Sequence, residues 1–271
     1  MAAAGPAAPE PVVRGLDHVP LAVKDLEQAK ADFEALGFAL KPGRPHDNGL
    51  RNAHVKFPDG TEIELITALV ATDALASEYH GWLKDGDGPA FLGLYVADFA
   101  ILIERLSRLG LALHRQGDLG TLSEPALRRL FFARRQRSPT DRPEHFAHAN
   151  TAFSLAGVWL AGAEAEQRLL AMLDAAPIEV PPCGPFGSAS AALSLSASEI
   201  AFLPATARLA PGRSIVGVTV TVKSLETTRS ILTGNRIAYN RVTGCARDSL
   251  WVGPATAHGL WLEFRQQPAS R

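Results

Sequence analysis

His18, Glu62 and Glu64 are the side chains of this chain whose types and spacing could best do chemistry together. His18 lies in "LDHVPLAV", which alternates as a strand does. His18, Pro20 and Ala22 share one face, and Val19, Leu21 and Val23 share the other. Glu62 and Glu64 alternate in "TEIELI" and share a face as well. A carboxylate placed beside an imidazole can move a proton. A second reactive stretch is "ALRRLFFARRQR", the most basic run in the chain. There Arg134, Arg135 and Arg137 could clamp a carboxylate or phosphate through bidentate donors. The same arginines could equally blunt a solvated edge strand.

The elements that must position these groups repeat along the chain. After the His18 strand, Asp25 can cap a helix that buries Leu26, Ala29, Phe33 and Leu36 and stops at Gly37. A short strand "FALKPG" follows, then "RNAHVKF" and "TEIELI" joined by the turn "PDG". The order β-α-β-β-β returns at "SIVGVTVTVKSLETTRSILTGNRIAY", "SLWVGP" and "GLWLEF". Weaker copies start at "FLGLYVADF" and "GVWLAGAEAE", which gives modules at about 14–68, 88–137, 150–205 and 212–266. The prolines and glycines of "PIEVPPCGPFG" interrupt the third. The fold class expected is α+β, with curved sheets carrying helices outside. In the first and last modules the strand parity agrees, so His18 faces the hollow side.

Composition narrows the function classes. The chain has 271 residues and a formal net charge of -1, which argues against binding nucleic acid through bulk positive charge. An apolar fraction of 46% with 20% charged residues reads as a globular protein. No apolar run is long enough to span a membrane. Cys183 and Cys245 stand far apart with no CxxC, which excludes a thiolate zinc site of the usual spacing and favours two free thiols in a reducing compartment. "MAAAGPAAPEPVVRG" has no signal-peptide pattern and reads as a leader, so the expected location is cytoplasmic. GxGxxG, P-loop, GxSxG and HExxH patterns do not occur.

"LDHVPLAVKDLEQAKADFEALGF", "GLRNAHVKF" and "GTEIELI" together resemble the first module of glyoxalase-like proteins of the vicinal oxygen chelate superfamily. "FFARRQRSPTDRPEHFAHANTA" is similar to a degraded form of a segment from the same subgroup. The resemblance implies paired βαβββ modules, with one glyoxalase-like half over 14–137 and a second over 150–266; composition marks 1–13 as a disordered leader and 267–271 as a tail. It also implies a metal cup with His18 as first-strand ligand and Glu64 as last-strand ligand, suited to Mn, Fe, Ni, Co or Zn. In that reading Glu62 moves the proton, and the substrate binds the ion through adjacent oxygens.

Several positions depart from the superfamily pattern. The middle segment's histidine position falls on Arg137, which cannot ligate. Phe91 and Gly217 stand where the second and fourth modules would repeat His18, and Glu263 matches Glu64 without a histidine partner. A third ligand would have to come from His148, His145 or His54, and bracing a loop with Asn150 is the other role open to His148. Two functions remain open. One is a divalent-metal-dependent enzyme of lyase, isomerase or dioxygenase type acting on a small vicinal-oxygen substrate. The other is a metal-free protein that binds a small molecule, with Arg137, Arg135 and Phe91 as a positive group and an aromatic wall. Either would act as a monomer or a homodimer, without nucleic acid or membrane.

Overall fold

The computed structural model describes residues 11–44, 46–135, 138–179, 184–187, 189–243 and 248–266. Arg137, Cys183 and Cys245 lie outside the described residues, as do most of the leader and the tail over 267–271.

The first module is β2 (His18–Ala22), α1 (Leu26–Ala35), β3 (Lys41–Pro42), β4 (Leu50–Lys56) and β5 (Glu62–Ala68), preceded by β1 (Val13–Leu16). After α2 (Ala74–Leu83) and β6 (Gly88–Pro89) comes the second: β7 (Leu92–Val96), α3 (Phe99–Arg108), β8 (Leu113–Gln116), β9 (Leu119–Leu122) and β10 (Leu130–Ala133). The third is β11 (Ala152–Ala161), α4 (Glu164–Met172), β12 (Ala176–Pro177), β13 (Ala191–Leu195) and β14 (Ser198–Leu203). The fourth is β15 (Ile215–Val222), α5 (Leu225–Gly234), β16 (Tyr239–Val242), β17 (Ser249–Val252) and β18 (Trp261–Gln266).

One pairing rule recurs in all four: the first strand lies parallel to the last, as β2 to β5, β7 to β10, β11 to β14 and β15 to β18. The intervening strands then return antiparallel, so each module is one curved βαβββ sheet. The fold is therefore α+β with tandem modules, as the sequence pattern predicts. Sequence periodicity misses α2. Its signal was present: Asp73 accepts from the Ala76 amide as N-cap, and Ala76, Tyr79 and Leu83 form the buried stripe.

The two pairs of modules close differently. In the second pair β11 and β15 run antiparallel along most of their length, giving one eight-stranded sheet. In the first pair β2 and β7 belong to different five-stranded sheets. The expected single strand from Leu16 to Val23 breaks at Asp17: β1 joins β7, and β2 joins β5 and β6. The Asp17 amide still bonds the Gly93 carbonyl across the seam at 2.8 Å. His18 sits at this seam, with its carbonyl so near Gly93 that a Cβ there would clash.

One continuous core joins the pairs, with Phe38 stacked on Phe264 at 5.7 Å. His148 serves this core. Its Nδ1 accepts from the Ala39 amide at 3.0 Å, its Nε2 donates to the Lys56 carbonyl at 2.9 Å, and burial pulls its pKa down. A neutral imidazole with both nitrogens occupied braces loops.

His258 ties the loop before β18 to the first module. Its Nδ1 donates to Asp87 at 2.8 Å, and its Nε2 faces Asp32 of α1 at 3.1 Å. Burial opposes its charge, but the two carboxylates outweigh burial and raise its pKa. The stability this gives is full below the unfolded-state pKa of about 6.5 and is lost as pH rises through the folded pKa. The melting-temperature gap between wild type and His258→Gln should therefore be wide at pH 6 and narrow at alkaline pH. A gap that widened with pH would contradict this.

Candidate functional site

The concave face of the first module is built by register. β2 sets His18 opposite Glu62 and Pro20 opposite Glu64, while β4 sets His54 opposite Glu64 and Lys56 opposite Glu62. One side of three strands thus carries two carboxylates between two imidazoles and an ammonium.

These charges are paired in a line across the sheet. Lys56 Nζ lies 3.1 Å from Glu62 and 3.5 Å from Asp141, and Lys41 Nζ lies 2.6 Å from Asp141. His54 Nδ1 donates to Glu62 at 3.1 Å. Burial favours the neutral form of Glu62, yet His54, His18 and Lys56 hold its pKa well below the usual carboxylate range. Glu64 accepts from the Asn52 amide at 2.6 Å and keeps Oε2 for His18 Nε2, 3.8 Å away. Asn52 packs so tightly against β3 that a Cβ at Gly43 would overlap it, so glycine is required there.

His18 is held from behind. Its Nδ1 donates to Asp17 Oδ2 at 2.6 Å, which fixes the ring and aims Nε2 at Glu64. Burial disfavours the imidazolium, but the bond to Asp17 and the charges of Asp17, Glu62 and Glu64 raise its pKa to about 9.

Beside this polar line, on the same face, lies a buried apolar cluster. The His18 ring lies 4.7 Å from Phe131, and Tyr79 of α2 meets Phe91 edge-on at 5.4 Å. Leu50, Ile66, Ala76 and Ala90 belong to the same cluster. Burial pushes the Tyr79 phenol well up, and the charges of Glu64 and Glu78 add to it.

His18, Glu62 and Glu64 are thus brought together on one sheet face, and Phe91 lies in the buried apolar cluster against which Phe131, the neighbour of His18, is packed. Arg135 is not part of this group. Its guanidinium donates to the carbonyls of Leu16 at 2.5 Å and Asp59 at 3.2 Å, and it lies over Tyr95. Sequence reasoning missed Asp17, Asn52, Lys56 and Asp141 as partners; for Asn52 and Lys56, alternation with His54 along β4 carried the signal.

The corresponding face of the second pair is filled by its own side chains. Trp159, Trp251, Trp261 and Phe186 pack edge-to-face with ring centroids 5.5–6.5 Å apart. Glu263 accepts from Thr219 at 2.6 Å and pairs with Arg265 at 2.8 Å, while Arg265 also bonds Glu199.

The profile of a family described as "Glyoxalase-like domain" matches residues 16–175, more than half of the chain. The chain belongs to the glyoxalase-like domain family. No curated protein matches it in sequence. Solved structures show the same fold at low identity. A triple mutant of 4-hydroxymandelate synthase from Streptomyces coelicolor superposes with TM-score 0.65 at 13% identity, covering 96% of this chain and 94% of that one. The 2,3-dioxygenase LapB from Pseudomonas sp. KL28 gives 0.64 at 16%, covering 96% and 94%. A xylose isomerase-like TIM barrel/4-hydroxyphenylpyruvate dioxygenase fusion protein gives 0.62 at 13%; this chain is covered over 97% but spans only 50% of that one.

The metal implied by the glyoxalase-like resemblance can be tested on the donors present. His18 Nε2 and Glu64 Oε2 are suitable in kind. However, no three His, Cys, Asp or Glu side chains among the described residues are grouped to hold an ion. Glu64 has one oxygen taken by Asn52, His54 faces Glu62, and His148 is spent on backbone. The residues described do not complete a metal seat.

The ion line should be costly to break from one side. Lys56→Met removes the ammonium shared by Glu62 and Asp141, leaving Glu62 to His54 and Asp141 to Lys41, and should lower unfolding free energy by about 2 kcal/mol. Chemical denaturation of the two proteins measures this; a loss near zero would show the line to be solvated.

Proposed function

We propose that this glyoxalase-like protein takes a small oxygen-rich molecule into the cup of its first module, without a resident metal held by three protein ligands. One observation supports the reading: on a single sheet face, the His18–Glu64 pair at 3.8 Å adjoins Phe131 and the apolar cluster of Phe91 and Tyr79. Ligand sites of this kind combine an apolar wall with a few convergent polar groups. His18 Nε2 would donate to a carbonyl or hydroxyl oxygen, and Glu64 would accept from a neighbouring hydroxyl. Vicinal oxygens fit a donor and an acceptor set this far apart. Arg137, at the edge of the basic run, remains a proposed contact.

Within this cup Glu62 is a weak base, because His54 and Lys56 hold its charge. A proton taken from a bound hydroxyl would go to Glu64. The Glu62 role proposed here is to anchor the positive groups beside the ligand.

The competing reading is the metal-dependent enzyme. It is favoured by Asp17, whose hold on His18 Nδ1 resembles the carboxylate behind a metal-bound imidazole. Metal content by mass spectrometry on untagged, chelator-free protein separates the two, with His18→Ala/Glu64→Ala as control. The proposal expects no stoichiometric metal, no uptake of Mn, Fe, Ni or Zn, and a thermal stabilisation by catechol that the double variant loses. Near-stoichiometric metal that disappears in the double variant would replace it with the metal reading.

A further inference from the structure

The basic run singled out in the sequence is divided by the fold. Arg135 turns its terminal nitrogens to backbone carbonyls, whereas Arg128 and Arg129, just before β10, reach a different place. They line an open cleft of about 820 Å³ beside α2, together with Glu78, Gly81 and Trp82 of that helix and Arg213 from the loop before β15.

Three guanidinium groups meet there, and their hydrogen bonds are unequally used. Arg213 is buried and spent, donating to the carbonyls of Trp82 at 2.9 Å, Gly86 at 2.7 Å and Asp87. It closes the C-terminal end of α2 and lies 4.8 Å from the centre of the Trp82 ring. Arg129 lies over the same ring at 3.7 Å. Among the described residues it makes a single hydrogen bond, to the Ala90 carbonyl at 3.3 Å. A guanidinium carries five N–H donors, and a ring face satisfies none of them fully. Arg128 gives one nitrogen to Glu78 and is otherwise open to solvent. Burial, and the nearby charges of Arg128 and Arg213, disfavour the charge on Arg129, and Glu78 offsets this only in part.

The cleft therefore holds more positive charge than its carboxylates neutralise. Arg128, Arg129 and Arg213 face Glu78 and Asp85. The Trp82 ring and the Ala90 carbonyl hold Arg129 in place, so its fork is oriented before anything binds.

We propose that this cleft is a binding site for a small oxyanion, a carboxylate or phosphate group, gripped by the unspent donors of Arg129 and Arg128. Planar forks match both anions bidentately. The site is separate from the cup, because α2 turns Ala76, Tyr79 and Leu83 to the cup and Glu78, Gly81 and Trp82 to the cleft. The two ligands would sit on opposite faces of one helix.

Titration calorimetry with inorganic phosphate and with acetate tests this on the whole chain. Saturable binding of phosphate alone assigns a phosphate group. Binding of both assigns oxyanions generally, and binding of acetate alone assigns a carboxylate. Each supports the site. Arg128→Gln/Arg129→Gln should weaken the binding about tenfold or more. Gly81→Glu guards against a folding failure in that variant. A Cβ at Gly81 meets nothing within 4 Å, and replacing an interior helical glycine favours the helix. The new carboxylate should repel the anion and reduce affinity while leaving the melting temperature of the free protein unchanged or higher. Absence of saturable heat with either anion would overturn the proposal. So would equal affinity in wild type and Gly81→Glu.

Discussion

Two carboxylates on alternate positions of one half-buried strand set the terms for the first module. Glu62 and Glu64 cannot stay charged on the concave face of β5 unless partners reach them from both sides. The parallel neighbour supplies His18, and the antiparallel neighbour supplies His54 and Lys56. Lys56 in turn needs Asp141, and Asp141 takes Lys41. Asp17 fixes His18 from the seam side. The polar cup is thus the consequence of pairing charge across a sheet, and the break between β1 and β2 lets His18 stand in it.

The two pairs of modules share a fold and have diverged in their hollows. In the first pair the seam stays split between two sheets, and a polar line adjoins an apolar cluster. In the second the seam is zipped by β11 and β15, and tryptophans occupy the hollow. Glu263, in the place that Glu64 holds in the first module, is neutralised by Arg265 and accepts a hydrogen bond from Thr219. Fold likeness to the synthase and dioxygenase structures at 13–16% identity extends to the sheets and does not carry a reaction with it.

Much of this was legible in the sequence because it rests on periodicity. Strand alternation put His18 and the two glutamates on a shared side, and the recurring strand–helix–strand pattern gave the modules. Capping residues were readable too: Asp25 accepts from the Gln28 amide as expected. What periodicity cannot give is which side chains meet from distant segments. Asp141 lies in a loop far from Lys41 in sequence, and Arg213 crosses to α2 from the other pair of modules. The arginine run showed charge density but not direction. Hydrogen bonding separates its members: Arg135 donates to the Leu16 and Asp59 carbonyls, while Arg129, among the described residues, gives one bond to the Ala90 carbonyl.

The most direct test of this electrostatic account is the titration of His18, followed by NMR of its imidazole nitrogens and assigned with His18→Gln. The pairing described here predicts an imidazolium at neutral pH, with a pKa of about 9. A ring that is neutral at pH 7, titrating near the ordinary value of about 6.5 or below, would contradict it. The carboxylates of β5 would then be balanced by some other charge.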